Sequence, residues 1–546
     1  MQHAENYHLV DLTVSNEQLQ SKKLLLLFGA FTTALMTTGC GGGNSSNDTI
    51  APKIDTGNSV GAVIADVQNK CASLLGQSIE GAVISHASFK PASGDIPDHC
   101  EILGQMPQEL NFKMKLPARW NEGTVFIGGG GFDGNVNGDM YSPKILERGY
   151  TTISTNHGHE ASASFAEGEF ALDNEKLNEY AHLAVPRVLQ PARAVMRIMY
   201  GEQKTASSKI VYEGCSGGGR QALIEAQRYP NLFDGIIARA PANAYVPQFL
   251  HYQKVMKQLD QTGAALSFAK IKTLHGAVLK QCDSLDGLKD DIISRPDLCG
   301  FNVDTLRCTG AESDSCLTDP QIQSAKTIYS PTDVGAGKFS WPGFPFGIEL
   351  AYPDTDPFSW QTVGGPAFKG LNDGFMKYFV TRDPLINPSL VDPNQYIERL
   401  ETLSTLIDAV DPDLNAFSSK GGKLILWHGL SDSLITANNT ISYYNKVVAT
   451  AGGKAAADNF VQFYTAPGVE HCAAGSGADL VDFIGPMFDW INKATPPSSQ
   501  YIVATQSNPE PGKAAVKRPL CLYPQYPKYN GTGDPTLDTS FSCTNP

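Results

Sequence analysis

The chain has 546 residues, 41% of them hydrophobic and 18% charged, with a formal net charge of −14. That composition excludes a disordered chain and is enough for one large domain with an insertion. The acidic balance argues against a nucleic-acid backbone as partner, because neutralising phosphates takes an excess of lysine and arginine.

Near the N-terminus, Lys22 and Lys23 precede an apolar run over residues 24–31. A basic start and an apolar stretch too short to span a bilayer have the form of an export signal. The run leads to Thr37-Thr38-Gly39-Cys40, which resembles a bacterial lipoprotein cleavage box, with Thr37 where such boxes carry leucine. Residues 1–40 are therefore expected to be a signal peptide with Cys40 as a lipid attachment site. The protein would be exported and anchored at a bacterial outer membrane or in the periplasm, or secreted. The first twenty residues do not suit a signal and point to a start codon downstream of Met1. The segment GGGNSSND opens a flexible linker over residues 41–62. Of eleven cysteines, ten remain once Cys40 is set aside, and ten can pair fully. In an oxidising compartment they read as disulfides, and none has the C-x-x-C spacing of a zinc or redox site.

The first predicted element is a helix over residues 64–75, followed by strand-like runs over 82–89 and 110–116. A strand over 124–127 ends in four glycines, Gly128 to Gly131, and Phe132. Glycines there let backbone amides face a ligand closely. A strand over 150–154 leads to His157 and His159, read as loop histidines with local hydrogen bonds because no third metal ligand is near. A helix over 186–200 comes next. The β-branched run at Ile210 and Val211 then enters Gly214-Cys215-Ser216-Gly217-Gly218 and a helical pattern. This strand–turn–helix context gives a G-x-S-x-G motif mechanical meaning, since the turn lifts the serine hydroxyl clear of the sheet. A second match, from Gly57 to Gly61, lacks both flanking elements. A buried strand at 235–238 follows.

From residue 243 to 420 the strand–helix rhythm breaks, which reads as an inserted lid domain. It returns with strands at 423–427 and 460–464 and a helix over 479–492. The core is thus expected in two parts, residues 63–242 and 421–546, as a largely parallel α/β sheet with helices on both faces. Each late strand ends in a candidate partner for Ser216: Asp432 after the first, His471 after the second. The order Ser216, Asp432, His471 is that of α/β-hydrolases. His471 would take the serine proton and Asp432 would orient the imidazole. The amides of Gly217 and of Gly130 or Gly131 would hold the oxyanion. Such a set argues against the rival reading of a non-catalytic, calcium-dependent binding protein, which needs none of the three. Cys215 precedes the serine and Cys472 follows the histidine, so an assembled triad brings the two within bridging reach.

On this CS–D–HC arrangement the chain resembles the tannase and feruloyl esterase family, from about Cys71 to Cys543. The segments YPNLFDG at 229–235 and RPLCLYP at 518–524 extend the likeness. The resemblance implies an α/β-hydrolase fold with a large lid and the pairs Cys71–Cys100, Cys215–Cys472, Cys282–Cys299, Cys308–Cys316 and Cys521–Cys543. It implies hydrolysis of small aromatic esters of the hydroxycinnamate (feruloyl) type through an acyl-enzyme. Gallate esters and mono(2-hydroxyethyl) terephthalate are the alternative substrates. In the lid, Asp283, Asp286 and Asp290 flank a glycine turn and are hard oxygen donors suited to calcium, with a solvated acidic turn as the competing reading. The resemblance implies a structural calcium there, completed by the carbonyls of Leu288 and Ile292. Lid aromatics, Trp360 and Phe375 above all, are candidate walls for a planar acyl group, and the lid's own core is the alternative. A terephthalate carboxylate would call for an arginine. The stretch 341–380 has Lys369 and Lys377 but none, and Arg382 follows it.

Overall fold

In the computed structural model, which describes residues 64–136, 144–161, 164–349 and 366–546, ten strands form the main sheet. They are β1 (Ser78–Ile79), β2 (Ala82–Lys90), β3 (His99–Met106), β4 (Leu110–Pro117), β5 (Gly123–Ile127), β6 (Thr151–Thr155), β7 (Lys209–Cys215), β8 (Gly235–Arg239), β9 (Lys423–Gly429) and β10 (Val461–Ala466). Their order is β1-β2-β3-β4-β6-β5-β7-β8-β9-β10. The half from β6 to β10 is parallel, and β1 to β4 add an antiparallel meander at one edge. The expected signal peptide, Cys40, the linker, the Gly57–Gly61 match and Trp360 lie outside the described residues.

Alternation along the parallel strands builds a core on each face. Phe126, Tyr212, Ile236, Leu424 and Leu426 face one apolar cluster, while Val125, Val211, Ile237, Ile425 and Trp427 face another. The first cluster is covered by α1 (Ala184–Tyr200), whose Val185, Val188, Leu189, Ala192, Val195, Met196 and Met199 repeat at helical spacing. Following β7, α2 (Gly217–Arg228) is buried along nearly its whole length.

The strand β3 has no counterpart among the predicted elements. Its Gly104 is where the Phe112 ring crosses: a Cβ at Gly104 would sit 2.2 Å from that ring. Glycine here makes room for a neighbour on the next strand, which no local pattern reveals. The last helix, α3 (Ile484–Lys493), starts five residues later than its expected boundary.

Between β8 and β9 the described residues add no strand to the main sheet. They form a third apolar cluster of their own, which also takes in Phe132, Tyr180, Leu434 and Ile435 from the core. Five disulfides join the same five cysteine pairs that the family resemblance implies. Such a density belongs to an exported protein. Among the described residues no helix is long and apolar enough to cross a membrane.

Candidate active site

Ser216 stands between β7 and α2 with φ 61° and ψ −122°, a backbone conformation that costs energy for any side chain but presents it at the strand end. The surroundings hold it there. Its N–H donates to the Arg239 carbonyl at 3.1 Å, and its carbonyl accepts from Arg220 N at 3.0 Å and Ala242 N at 3.1 Å. The motif glycines have a steric reason. A Cβ on Gly214 would meet the Gly218 carbonyl at 2.6 Å, and one on Gly218 would meet the Gly129 carbonyl at 2.6 Å.

The glycine loop after β5 lies directly against this elbow. Gly218 N donates to Gly129 O at 3.1 Å, and a Cβ on Gly217 would stand 3.6 Å from Gly131 N. Gly217, Gly130 and Gly131 are thus neighbours in space, as an oxyanion pocket drawn from two segments demands.

Asp432 and His471 meet. The His471 Nδ1 lies 2.8 Å from Asp432 Oδ2, with the carboxylate fully buried and the imidazole nearly so. The other oxygen, Oδ1, accepts from Leu434 N at 2.9 Å and Ile435 N at 2.8 Å. Burial alone would raise the Asp432 carboxyl, but the charge on His471 and hydrogen bonds from His428 and His471 outweigh it. The group is held far below the ordinary carboxylate range. It stays an anion, able to fix the Nδ1–H tautomer and stabilise an imidazolium.

His428 was given no role in the sequence. Fully buried at the end of β9, it places Nε2 3.2 Å from Asp432 Oδ2 and 2.8 Å from the Ile435 carbonyl, with Nδ1 2.8 Å from Thr440 Oγ1. A histidine four residues ahead of a candidate aspartate was the available signal. The bridge Cys215–Cys472, with Cα atoms 5.9 Å apart, joins the residue before the serine to the residue after the histidine.

The remaining candidates distribute differently. Phe375 is fully buried in the third apolar cluster, its ring stacked on Phe249 at 4.5 Å and near Phe379 at 5.4 Å, so it presents no surface to a ligand. Arg382 spends its guanidinium on the Ala171 and Leu172 carbonyls and Asn174 Oδ1. A cavity of about 1040 Å³ between residues 166–176 and 370–378 is lined by none of Ser216, Asp432 and His471. Its lining carries Glu109, Glu160, Glu167 and Glu169 together with Lys176, Lys377 and His159.

Asp283, Asp286 and Asp290 gather around the Gly287 turn, where Leu288 N donates to Asp286 Oδ1 at 3.0 Å and Asp290 N to Asp283 Oδ1 at 3.3 Å. Burial pushes the Asp290 carboxyl up to about 6 against the opposing charge of Arg518, and Asp286 and Asp283 add to the rise. One Asp290 oxygen pairs with Arg518 Nη2 at 2.8 Å, and the other, Oδ1, is buried without a hydrogen-bond partner. A buried orphan oxygen among like charges fits a hard cation. As they stand, however, no three acidic, histidine or cysteine side chains among the described residues converge to ion-binding distance. The turn also reaches the histidine loop, because Ile292 covers Gly468 and leaves 3.0 Å for a Cβ.

Comparisons with known proteins agree with this architecture. The tannase and feruloyl esterase family model matches residues 96–544. The chain is 28% identical to mono(2-hydroxyethyl) terephthalate hydrolase of Piscinibacter sakaiensis, covering 83% of this chain and 85% of that one. It is 30% identical to a probable feruloyl esterase of Arthroderma benhamiae, covering 79% and 81%. Feruloyl esterase B from Aspergillus oryzae shares the fold with a TM-score of 0.77 at 24% identity, over 88% of this chain and 100% of that chain. The chain belongs to the tannase and feruloyl esterase family of carboxylic ester hydrolases.

Proposed function

We propose that this chain is a serine esterase that cleaves aromatic esters of the hydroxycinnamate type through an acyl-enzyme. The observation that carries it is the Asp432–His471 pair, bridged through Cys472–Cys215 to a strained Ser216 beside the glycine loop. Because Nδ1 of His471 faces Asp432, Nε2 is the nitrogen for the serine proton. Ser216 Oγ attacks the ester carbonyl as that proton passes to His471, and the carbonyl oxygen becomes an oxyanion facing Gly217 and Gly130–Gly131. Collapse expels the alcohol, which takes the proton from His471. Water, deprotonated by the same nitrogen, then releases the acid.

The aromatic acyl half rests on the named activities of the relatives. Within that class, the capture of Arg382 by backbone carbonyls favours ferulate over a terephthalate monoester, whose second carboxylate wants a bidentate partner. Turnover of methyl ferulate, methyl gallate and mono(2-hydroxyethyl) terephthalate ranks the substrates. Ser216→Ala should cut kcat by about 10⁶-fold on the preferred one, and a purified variant that retains turnover would sink the assignment.

Two further readings accompany it. Asp283, Asp286 and Asp290, with the carbonyls of Leu288 and Ile292, would hold a structural calcium that lends charge neutralisation to the turn and has no part in the chemistry. Cys40 would carry a lipid anchor at a bacterial membrane, which the mass of the mature N-terminus would reveal.

A further inference from the structure

Behind the glycine loop lies a second buried acid–imidazole pair. Asp133, just after the loop, and His157, just after β6, bring Oδ2 and Nδ1 to 2.9 Å with side chains 0% and 1% exposed, a close polar contact without the alignment of a hydrogen bond. The same Asp133 oxygen accepts from Gln221 Nε2 on α2, and Gln221 Oε1 accepts from Tyr212 Oη on β7 at 2.9 Å. One carboxylate therefore links the glycine loop, the β6 loop and the helix that begins at the nucleophile. Both Asp133 and His157 sit in the left-handed backbone region, at φ 58° and φ 59°. Non-glycine residues hold that conformation when their surroundings enforce it.

The backbone shows what this buried pair could be for. In a planar peptide the carbonyl of one residue and the N–H of the next point in opposite directions, so fixing one aims the other. The Gly129 carbonyl accepts from Gly218 N at 3.1 Å, which aims the Gly130 N–H. The Gly130 carbonyl accepts from Asp133 N at 2.9 Å, which aims the Gly131 N–H. Asp133 is thus the residue whose own amide sets a candidate oxyanion donor, and its side chain is the anchor that keeps its amide in place. A Cβ on Gly129 would lie 2.5 Å from Asp133 Oδ1, so the carboxylate also packs under the loop with no slack.

We infer that Asp133 and His157, with Gln221, are positioning residues that hold the glycine loop in the geometry that stabilises the oxyanion. This rests on the esterase reading above. The loss should fall on the transition state and spare the ground state, since the pair touches no substrate.

The test is steady-state kinetics on methyl ferulate with the full chain and the variants Asp133→Ala, His157→Ala and His157→Gln. Inhibition by a trifluoromethyl ketone ester analogue and by the product acid is measured beside it. For the alanine variants, kcat should fall about 100-fold, as when an oxyanion donor is lost, with KM changed by less than about threefold. Affinity for the tetrahedral ketone adduct should fall in parallel while product affinity stays. His157→Gln, whose side-chain amide keeps a polar group within reach of the Asp133 carboxylate, should recover much of kcat. If Asp133→Ala does not fold, His157→Ala and Gln221→Met carry the same expectation from the other two partners. Folded variants with kcat within about threefold of the parent, or with KM and ketone affinity moving alike with product affinity, would overturn the inference. A parent without Ser216-dependent turnover would instead overturn the esterase reading, and the inference with it.

Discussion

Replacing Cys215 and Cys472 by alanine removes a cross-link between residues 257 apart in sequence. On the chain-entropy argument, closing a loop of that length in the unfolded chain is worth about 5.5 kcal/mol at 25 °C. The bridges Cys282–Cys299 and Cys308–Cys316 lie inside the loop and shorten it by about a tenth, which changes the figure by only about 0.1 kcal/mol. Against a folding stability of roughly 5–15 kcal/mol, that loss is a third or more. Catalysis should suffer separately. Ser216 and Cys472 both hold positive φ, 61° and 67°, and the bridge is what ties the two strained turns together. Releasing it lets the histidine loop drift, and a shift of about 1 Å between nucleophile and base costs about 100-fold in rate. Denaturant unfolding followed by tryptophan fluorescence, together with kcat on methyl ferulate, reads both effects in the double variant. A variant within about 1 kcal/mol of the parent and with kcat within about threefold would refute the reasoning, by showing that packing alone seats the histidine.

Calcium chelation by EGTA should lower the melting temperature, since an ion at a hundred times its dissociation constant contributes about 2.7 kcal/mol, and identical melting with and without added calcium would remove the ion from the account. Arg239→Met removes the guanidinium beside Glu213, which is 1% exposed and now accepts from Arg239 Nη2 at 2.8 Å. The cost should be roughly 3–5 kcal/mol by chemical denaturation, mostly recovered in the double variant with Glu213→Leu, and a loss under about 1 kcal/mol would contradict it. Burial holds the His251 imidazole down, at about 3 against an ordinary 6.5, with Lys254 adding to the depression. Between those values the unfolded chain binds more protons at this site than the folded chain, so stability falls as pH drops through the imidazole range. From pH 8 to pH 5 the loss from this residue should be about 2 kcal/mol, and His251→Gln should be less acid-sensitive by that amount. A variant with the parent's pH slope would refute the assignment.

Much of the site was legible without coordinates because its signals are local. The strand, the glycine turn and the helix around Ser216 are contiguous, and Asp432 and His471 each follow a strand whose apolar run can be read directly. Cys215 and Cys472 added a long-range clue, because cysteines beside a serine and a histidine constrain how those two can meet. Other features escaped because they depend on residues far apart in the chain. The strand β3 had no expected counterpart, and its Gly104 is explained only by Phe112 lying over it. Phe375 has the composition of a pocket wall, yet Phe249 and Phe379 bury it.

The sequence by itself determined the order of the candidate catalytic residues, the family, and which residue types could carry acyl transfer, since these follow from short-range pattern and chain order. Only the tertiary structure decided that His428 shares Asp432 with His471, that Arg382 is taken by backbone carbonyls, and that Ile292 leans on the histidine loop. It also turned His157 from a loop histidine with local bonds into half of a buried pair with Asp133. The physical reason is the same in each case. Periodicity reports which face of an element is buried, whereas a polar group's partner is set by which other element the fold packs against that face.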